Sequence, residues 1–184
     1  MASLREPRPS AKPEAVTARV EGGSRTDASL VHAAQAEITA GIDRLFDRLL
    51  AVPSDPRGPL YEAMRHAAIG GGKRLRPLLV RAAGDLYHVD HAPALRVGAA
   101  VEAMHVYSLI HDDLPCMDDD DMRRGKPTVH KAYGEATAIL AGDSLHALAF
   151  EWLVDPATHP DPFVRGELVR ELARAAGPAG MAGG

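Results

Sequence analysis

One segment of the chain, residues 135–154, is apolar on nearly every face of the helix that it would form. The large apolar side chains spread around this helix are Ile139, Leu140, Leu145, Leu148, Phe150 and Trp152. Such a helix has to be buried, because no side of it favours contact with water. The segment therefore predicts a core in which other elements cover one central helix from all sides.

The rest of the chain from Ala28 onward also predicts helices. Apolar residues recur there at steps of three and four, Asp27 offers an N-cap, and a Ser-Asp-Pro turn at 54–56 ends the first helix. Glycine and proline signals bound further helices at about 59–70, 75–87, 90–113 and 161–177. No segment predicts a strand. The predicted fold class is all-α, with residues 28–184 in one domain.

Composition narrows the class of protein. Residues 1–27 contain hardly any large apolar side chain, so they predict a disordered N-terminal tail, or else a misassigned start codon. The formal net charge of −4 speaks against a non-specific nucleic-acid binder. The single cysteine, Cys116, excludes an internal disulfide and favours a reducing compartment. Without an apolar run long enough for a membrane span, the protein is predicted to be cytoplasmic.

The most informative stretch is residues 112–125, which place six carboxylates in ten positions ahead of two arginines. Asp112 and Asp113 are expected on the last turn of a helix, where the helix dipole makes each carboxylate cost about 0.3–1 kcal/mol. A divalent cation would offset this cost, and Mg²⁺ takes one or two protein carboxylates together with phosphate oxygens. Arg123 and Arg124 suit bidentate contacts to phosphate. We therefore favour a metal–diphosphate site over a solvated acidic loop.

A second feature is the basic loop at residues 70–77, Gly-Gly-Gly-Lys-Arg-Leu-Arg-Pro. Glycines allow close backbone approach to a ligand, and the helix that follows offers unpaired N–H groups beside Lys73 and Arg76. The spacing differs from that of a Walker loop. On the residues alone, an anion site and a helix cap followed by a solvated turn both remain possible.

The helix that leads to the aspartates carries three further candidates. His105 lies on the same helical face as Asp112, two turns earlier, and is either a ligand contact or an ordinary packed residue. Tyr107 and Ser108 occupy the turn just before the cluster, where they either line an apolar channel or simply pack.

Three motifs together resemble those of the polyprenyl (trans-isoprenyl) diphosphate synthases, most closely the bacterial farnesyl diphosphate synthases. They are GGKRLRP at 71–77, HDDLPCMDDDDMRRG at 111–125 and LAGD at 140–143. The resemblance covers residues 28–184 and implies a homodimeric bundle of antiparallel helices around a central cavity. It also implies condensation of isopentenyl diphosphate with an allylic diphosphate, dimethylallyl or geranyl, in isoprenoid biosynthesis with Mg²⁺ as the cofactor.

The resemblance also implies roles for individual residues. Asp112, Asp113 and Asp118 would belong to the metal site. Arg123 would hold the allylic diphosphate, and with Asp112 and Asp118 would form the catalytic set. The residues that would hold isopentenyl diphosphate are Lys73, Arg76, His105 and Arg124. Tyr107 and Ser108 would set the product length, and the aromatic side chain with the spacing of the aspartates indicates farnesyl diphosphate.

The resemblance ends before a second aspartate-rich motif that the family carries further along its sequence. We therefore expect residues 28–184 to be the N-terminal portion of a synthase domain, truncated, with uncertain activity alone. One alternative is a non-catalytic subunit that pairs with a complete synthase. Two others are an HD-type metal phosphohydrolase, suggested by His111 and Asp112, and a terpene cyclase. The phosphohydrolase reading leaves the basic residues without a role, and the cyclase would not need the basic loop.

Overall fold

The computed structural model describes residues 23–184, with side chains from residue 28 onward. The helices in this part of the chain are α1 (Gly23–Leu49), α2 (Gly58–Ala68), α3 (Leu75–Leu86), α4 (His91–Asp112), α5 (Val129–Tyr133), α6 (Glu135–Val154) and α7 (Pro162–Ala176), followed by a 3₁₀ turn at Met181–Gly183. The all-α fold class is confirmed. Residues 1–22 of the predicted disordered tail lie outside the described residues.

The helix bounds follow local sequence signals. Pro59 lies in the first turn of α2, and the Asp161 carboxylate accepts a hydrogen bond of 2.8 Å from the Phe163 N–H at the start of α7. α4 ends at Asp112 because the next residues lead into Pro115, which disfavours helical backbone before it. The one clear difference is α1, which begins at Gly23, ahead of the predicted cap at Asp27.

Three short elements between α4 and α6 were not predicted. β1 (Met122–Arg123) pairs antiparallel with β2 (Lys126–Pro127), and the five-residue α5 follows. The expectation of no strand is wrong for these four residues, since strands of two residues are too short to show an alternating pattern. Arg124 and Gly125 form the loop with φ of 52° and 78°, the left-handed conformations that a two-residue hairpin turn requires.

The centre of the structure is the contact between α4 and α6. Small residues let these helices approach closely: a Cβ added to Gly142 of α6 would lie 2.2 Å from Nε2 of His111 on α4. α3 packs on the other side of α4, while α2, α5 and α7 pack on α6. α4 is therefore held on two sides. Its C-terminal end is a fixed base for the acidic loop, by which we mean residues 112–121.

Burial of α6 is less complete than the sequence indicated. Leu145 and Trp152 are buried, and Trp152 contacts Phe46 of α1 at 5.9 Å between ring centroids. Ile139 and Leu140, however, are 45% and 56% exposed. The described part of the chain therefore leaves one face of α6 without cover.

None of the helices in that part has the length and apolar character needed to cross a membrane.

Candidate active site

The acidic loop folds back onto the end of α4. The Asp118 N–H donates to the Asp112 carbonyl at 2.8 Å, and the Asp119 N–H donates to the Leu114 carbonyl at 3.1 Å. These bonds return the chain to the helix end, so that Asp118 lies next to Asp112. Asp112 is half-buried and Asp118 is exposed. Neither carboxylate forms an ion pair with another described residue.

Asp113 is arranged differently from its neighbour Asp112. Its side chain is buried, and both of its carboxylate oxygens accept hydrogen bonds from Nε of Arg123, at 2.7 and 2.9 Å. A further contact of 2.6 Å joins Nη2 of Arg123 to the same carboxylate. This hydrogen bonding raises the pKa of Arg123 above its ordinary value. In this arrangement Asp113 fixes Arg123 with both of its carboxylate oxygens, and its place in the metal site stays a prediction.

The hairpin brings Arg124 against the basic loop. A Cβ added to Gly72 would lie 2.3 Å from Nη1 of Arg124, so only glycine leaves room for the guanidinium there. The hairpin is held in place by two further contacts with the end of α2. Nζ of Lys126 donates to the Ile69 carbonyl at 3.3 Å, and Nε2 of His66 lies 2.8 Å from the Pro127 carbonyl.

The result is a basic cleft of about 620 Å³. It is lined by Gly70, Gly71, Gly72, Lys73, Arg74, Leu75, Arg76, Glu102, His105 and Arg124. Lys73 and Arg76 are exposed, and neither forms an ion pair with another described side chain. Burial lowers the pKa of His105, and the nearby Arg76 lowers it further. Burial and Arg74 likewise lower the pKa of Arg124. The cleft thus concentrates positive charge and favours an anion.

Arg74, which the sequence analysis did not single out, holds this cleft together. It is 1% exposed and adopts a left-handed backbone conformation just before α3. Its guanidinium donates to Glu102 of α4 at 2.9 Å and to Asp43 of α1 at 2.7 Å, and it lies over the Phe46 ring. A third bond goes to the Ala68 carbonyl at the end of α2. One buried side chain thereby joins three helices beneath the residues that line the cleft.

Tyr107 lies on the side of α4 that faces α6, and Ser108 follows it in the chain. The Tyr107 ring is half-buried and contacts His146 and His111 edge-on, at centroid distances of 4.9 and 5.6 Å. His146 in turn contacts Phe150 at 5.2 Å. The Ser108 hydroxyl donates to the His105 carbonyl at 2.9 Å. Tyr107 is therefore packed into an aromatic row between the two central helices, one turn before the acidic loop.

An all-α fold that carries an acidic loop beside a basic, glycine-lined cleft offers oxygen ligands for a cation next to donors for an anion. Residues 58–175 match the polyprenyl synthetase family. The chain belongs to this family, and the resemblance drawn from its motifs is confirmed.

Known relatives agree with this assignment. The farnesyl diphosphate synthase of Escherichia coli is 54% identical over 128 residues, which are 68% of this chain and 42% of the relative. A chloroplastic geranylgeranyl pyrophosphate synthase of Capsicum annuum is 50% identical over 125 residues, 68% of this chain and 34% of the relative. The crystal structure of an FPP/GFPP synthase from Zymomonas mobilis matches with a TM-score of 0.83 at 60% identity, over 85% of this chain and 56% of that one.

The chain thus spans less than half the length of these two curated relatives and just over half of the solved one.

The structure also speaks against the HD-type phosphohydrolase that His111 and Asp112 suggested. Nε2 of His111 lies 3.1 Å from the Ile139 carbonyl of α6, so the ring is directed onto that helix and away from the acidic loop.

Proposed function

We propose that this chain carries the diphosphate-binding part of a magnesium-dependent trans-prenyltransferase, which condenses isopentenyl diphosphate with dimethylallyl or geranyl diphosphate. The observation that carries the proposal is the adjacency of two unlike sites. The acidic loop offers oxygen ligands for a cation, and the basic cleft offers donors for an anion. The consecutive residues Arg123 and Arg124 connect the two, since Arg123 is bonded to Asp113 at the end of α4 and Arg124 lines the cleft.

The acidic loop suits Mg²⁺. Asp112 and Asp118 provide two carboxylates at one helix end, and no described side chain neutralises either of them. Two hard oxygen donors match the small protein share of a magnesium coordination shell, which phosphate oxygens and water complete. When bound, the ion would neutralise negative charge on the diphosphate group of the allylic substrate and so favour departure of that group. Arg123, which Asp113 holds in a fixed orientation, would contact the same diphosphate.

The basic cleft suits the second diphosphate. Lys73 and Arg76 are exposed and available, Arg124 is fitted against Gly72, and His105 completes the lining. Arg124 is packed in place, so its contact with an anion costs little further ordering. We therefore assign isopentenyl diphosphate to Lys73, Arg76, His105 and Arg124. Its double bond would then attack the allylic carbon from which diphosphate departs, followed by loss of a proton.

The product is proposed to be farnesyl diphosphate. The bulky Tyr107 ring, packed against His146, supports a wall that stops the growing chain, and Ser108 stands beside it. Relatives that make farnesyl and geranylgeranyl products are similarly close to this chain. We further propose that two copies pair as a homodimer in the cytoplasm, and the exposed Ile139 and Leu140 of α6 support an apolar contact with another chain.

Calorimetry with inorganic diphosphate tests the proposal on the chain itself. Binding is expected to strengthen when Mg²⁺ is present, and Asp112→Asn should remove most of this gain. Asp120→Asn is the matched control, because it removes the same charge from the same loop at a position not assigned to the metal. Equal binding with a chelator present, or equal effects of the two variants, would contradict the proposal. Turnover only after a complete synthase is added would favour the non-catalytic subunit.

A further inference from the structure

A second cluster of metal-binding side chains lies on the other side of the acidic loop. One carboxylate oxygen each from Asp119 and Asp121 and a ring nitrogen of His130 lie within 4.8 Å of one another. Both aspartates are exposed, whereas His130 is only 7% exposed. None of these residues belongs to the proposed Asp112–Asp118 site or lines the basic cleft.

The buried imidazole is the observation that points to a ligand. Nε2 of His130 is buried and has no hydrogen-bond partner in the described part of the chain. Nδ1, in contrast, lies 3.1 Å from the Thr128 hydroxyl, which reaches the Asp121 carbonyl at 3.4 Å. With the hydroxyl proton directed to that carbonyl, the ring donates from Nδ1 to the hydroxyl oxygen. We assign this tautomer, which leaves the Nε2 lone pair free, as metal-binding histidines require.

We propose that Asp119, Asp121 and His130 form a site for a divalent transition-metal ion such as Zn²⁺, separate from the magnesium site. Metal–ligand bonds of about 2.1 Å place the ligand atoms of one ion about 3–4 Å apart, so a small contraction of the cluster would suffice. The imidazole donor favours Zn²⁺ or Co²⁺ over Mg²⁺, which prefers oxygen.

The position of the cluster indicates what such an ion does. Asp121 immediately precedes β1, and His130 lies in α5, just after β2. The backbone already closes this segment, because the Thr128 N–H donates to the Asp121 carbonyl at 3.0 Å. An ion shared by Asp121 and His130 would clamp the base of the hairpin that carries Arg123 and Arg124. The site is thus structural, and its presence is independent of the proposed prenyl transfer.

Lys131 makes the proposal sharply testable. Its Nζ lies 2.7 Å from one oxygen of Asp121, where it repels a cation and competes for the ligand. Lys131→Met is therefore expected to tighten metal binding. A structural disturbance would not produce that gain.

The test titrates the chelator-treated 184-residue chain with Zn²⁺ by calorimetry and with Co²⁺ by visible absorption, without diphosphate. One ion per chain is expected. Loss of a second-shell partner alone weakens metal sites about 10–100-fold, so His130→Asn and Asp119→Asn should each weaken binding at least tenfold. Asp119 is exposed, so its variant remains informative if the histidine variant misfolds. Asp112→Asn should leave the affinity unchanged. No saturable binding, binding that survives both variants, or binding lost with Asp112→Asn would overturn the proposal.

Discussion

Replacing Arg74 by methionine should destabilise the protein far more than an ordinary charge removal. The guanidinium is fully buried and neutralises Glu102, which is itself only 2% exposed. Methionine fills much of the volume but leaves a carboxylate buried without a counter-charge. Breaking a buried ion pair in this way costs about 3–5 kcal/mol. Asp43 adds little, because its side chain is 27% exposed and keeps part of its hydration.

The assay is urea and thermal unfolding of the wild type and three variants. For a chain of this size, Arg74→Met should lower Tm by roughly 6–20 °C. Adding Glu102→Gln to Arg74→Met should recover about half of the lost free energy or more, because an amide needs no counter-charge. Arg81→Met is the control: Arg81 pairs with Asp85 within α3, and the Asp85 side chain is 54% exposed, so about 1 kcal/mol or less is expected.

Two results would refute this reasoning. Arg74→Met within about 1 kcal/mol of the wild type would mean that Glu102 does not depend on the guanidinium. Equal stability of the single and double variants would mean that the loss comes from packing against Phe46 and not from the unpaired charge. The contact with the Ala68 carbonyl predicts a second effect. Diphosphate affinity of the basic cleft should also fall in Arg74→Met, since the loop between α2 and α3 loses its anchor.

Three further predictions concern the two sites. Gly72→Ala should weaken diphosphate binding in calorimetry by displacing Arg124, whereas Gly125→Ala, with a similar positive φ but nothing within 4 Å of the added Cβ, should not. Diphosphate binding should strengthen as the pH falls toward the pKa of His105, which burial and Arg76 lower in the free cleft, because the protonated ring attracts the anion. His105→Gln should remove this part of the pH dependence, and a profile that this variant leaves unchanged would exclude His105. The third prediction uses a chimera in which this chain is joined to the part of the Zymomonas mobilis relative that the chain does not span. In this chimera Tyr107→Ala should yield products longer than C15. An unchanged product would show that Tyr107 does not form the proposed wall.

The helices could be predicted because their signals are local. Asp161 and Pro162 start α7, and the bounds predicted for α6, residues 135 and 154, are those observed. The members of the proposed metal and substrate sites could also be proposed from the sequence, since all but His105 lie in two short motifs. What could not be predicted is which charged groups are buried. That depends on contacts between residues far apart in the chain, such as the 28 positions that separate Arg74 from Glu102.

One signal in the sequence would have revealed that contact. Glu102 lies within an otherwise apolar stretch of α4, where a buried carboxylate requires a basic partner. The basic loop offers three candidates, but their sequence does not show which one turns inward. The left-handed backbone at Arg74, φ 47°, sets that direction after the glycines. The left-handed backbone conformation of Arg74 thus distinguishes this buried arginine from its exposed neighbours Lys73 and Arg76.

The same division of roles occurs in the acidic motif. Consecutive residues on a helix project in different directions, so at the end of α4 Asp113 turns inward to Arg123 while Asp112 remains at the loop. Each site therefore contains one acid–arginine pair with a buried carboxylate, Glu102 with Arg74 and Asp113 with Arg123. Each also keeps a set of charges that no described residue neutralises. Because the pairs hold the backbone that carries these free charges, a metal–diphosphate complex would bind with less ordering of the backbone.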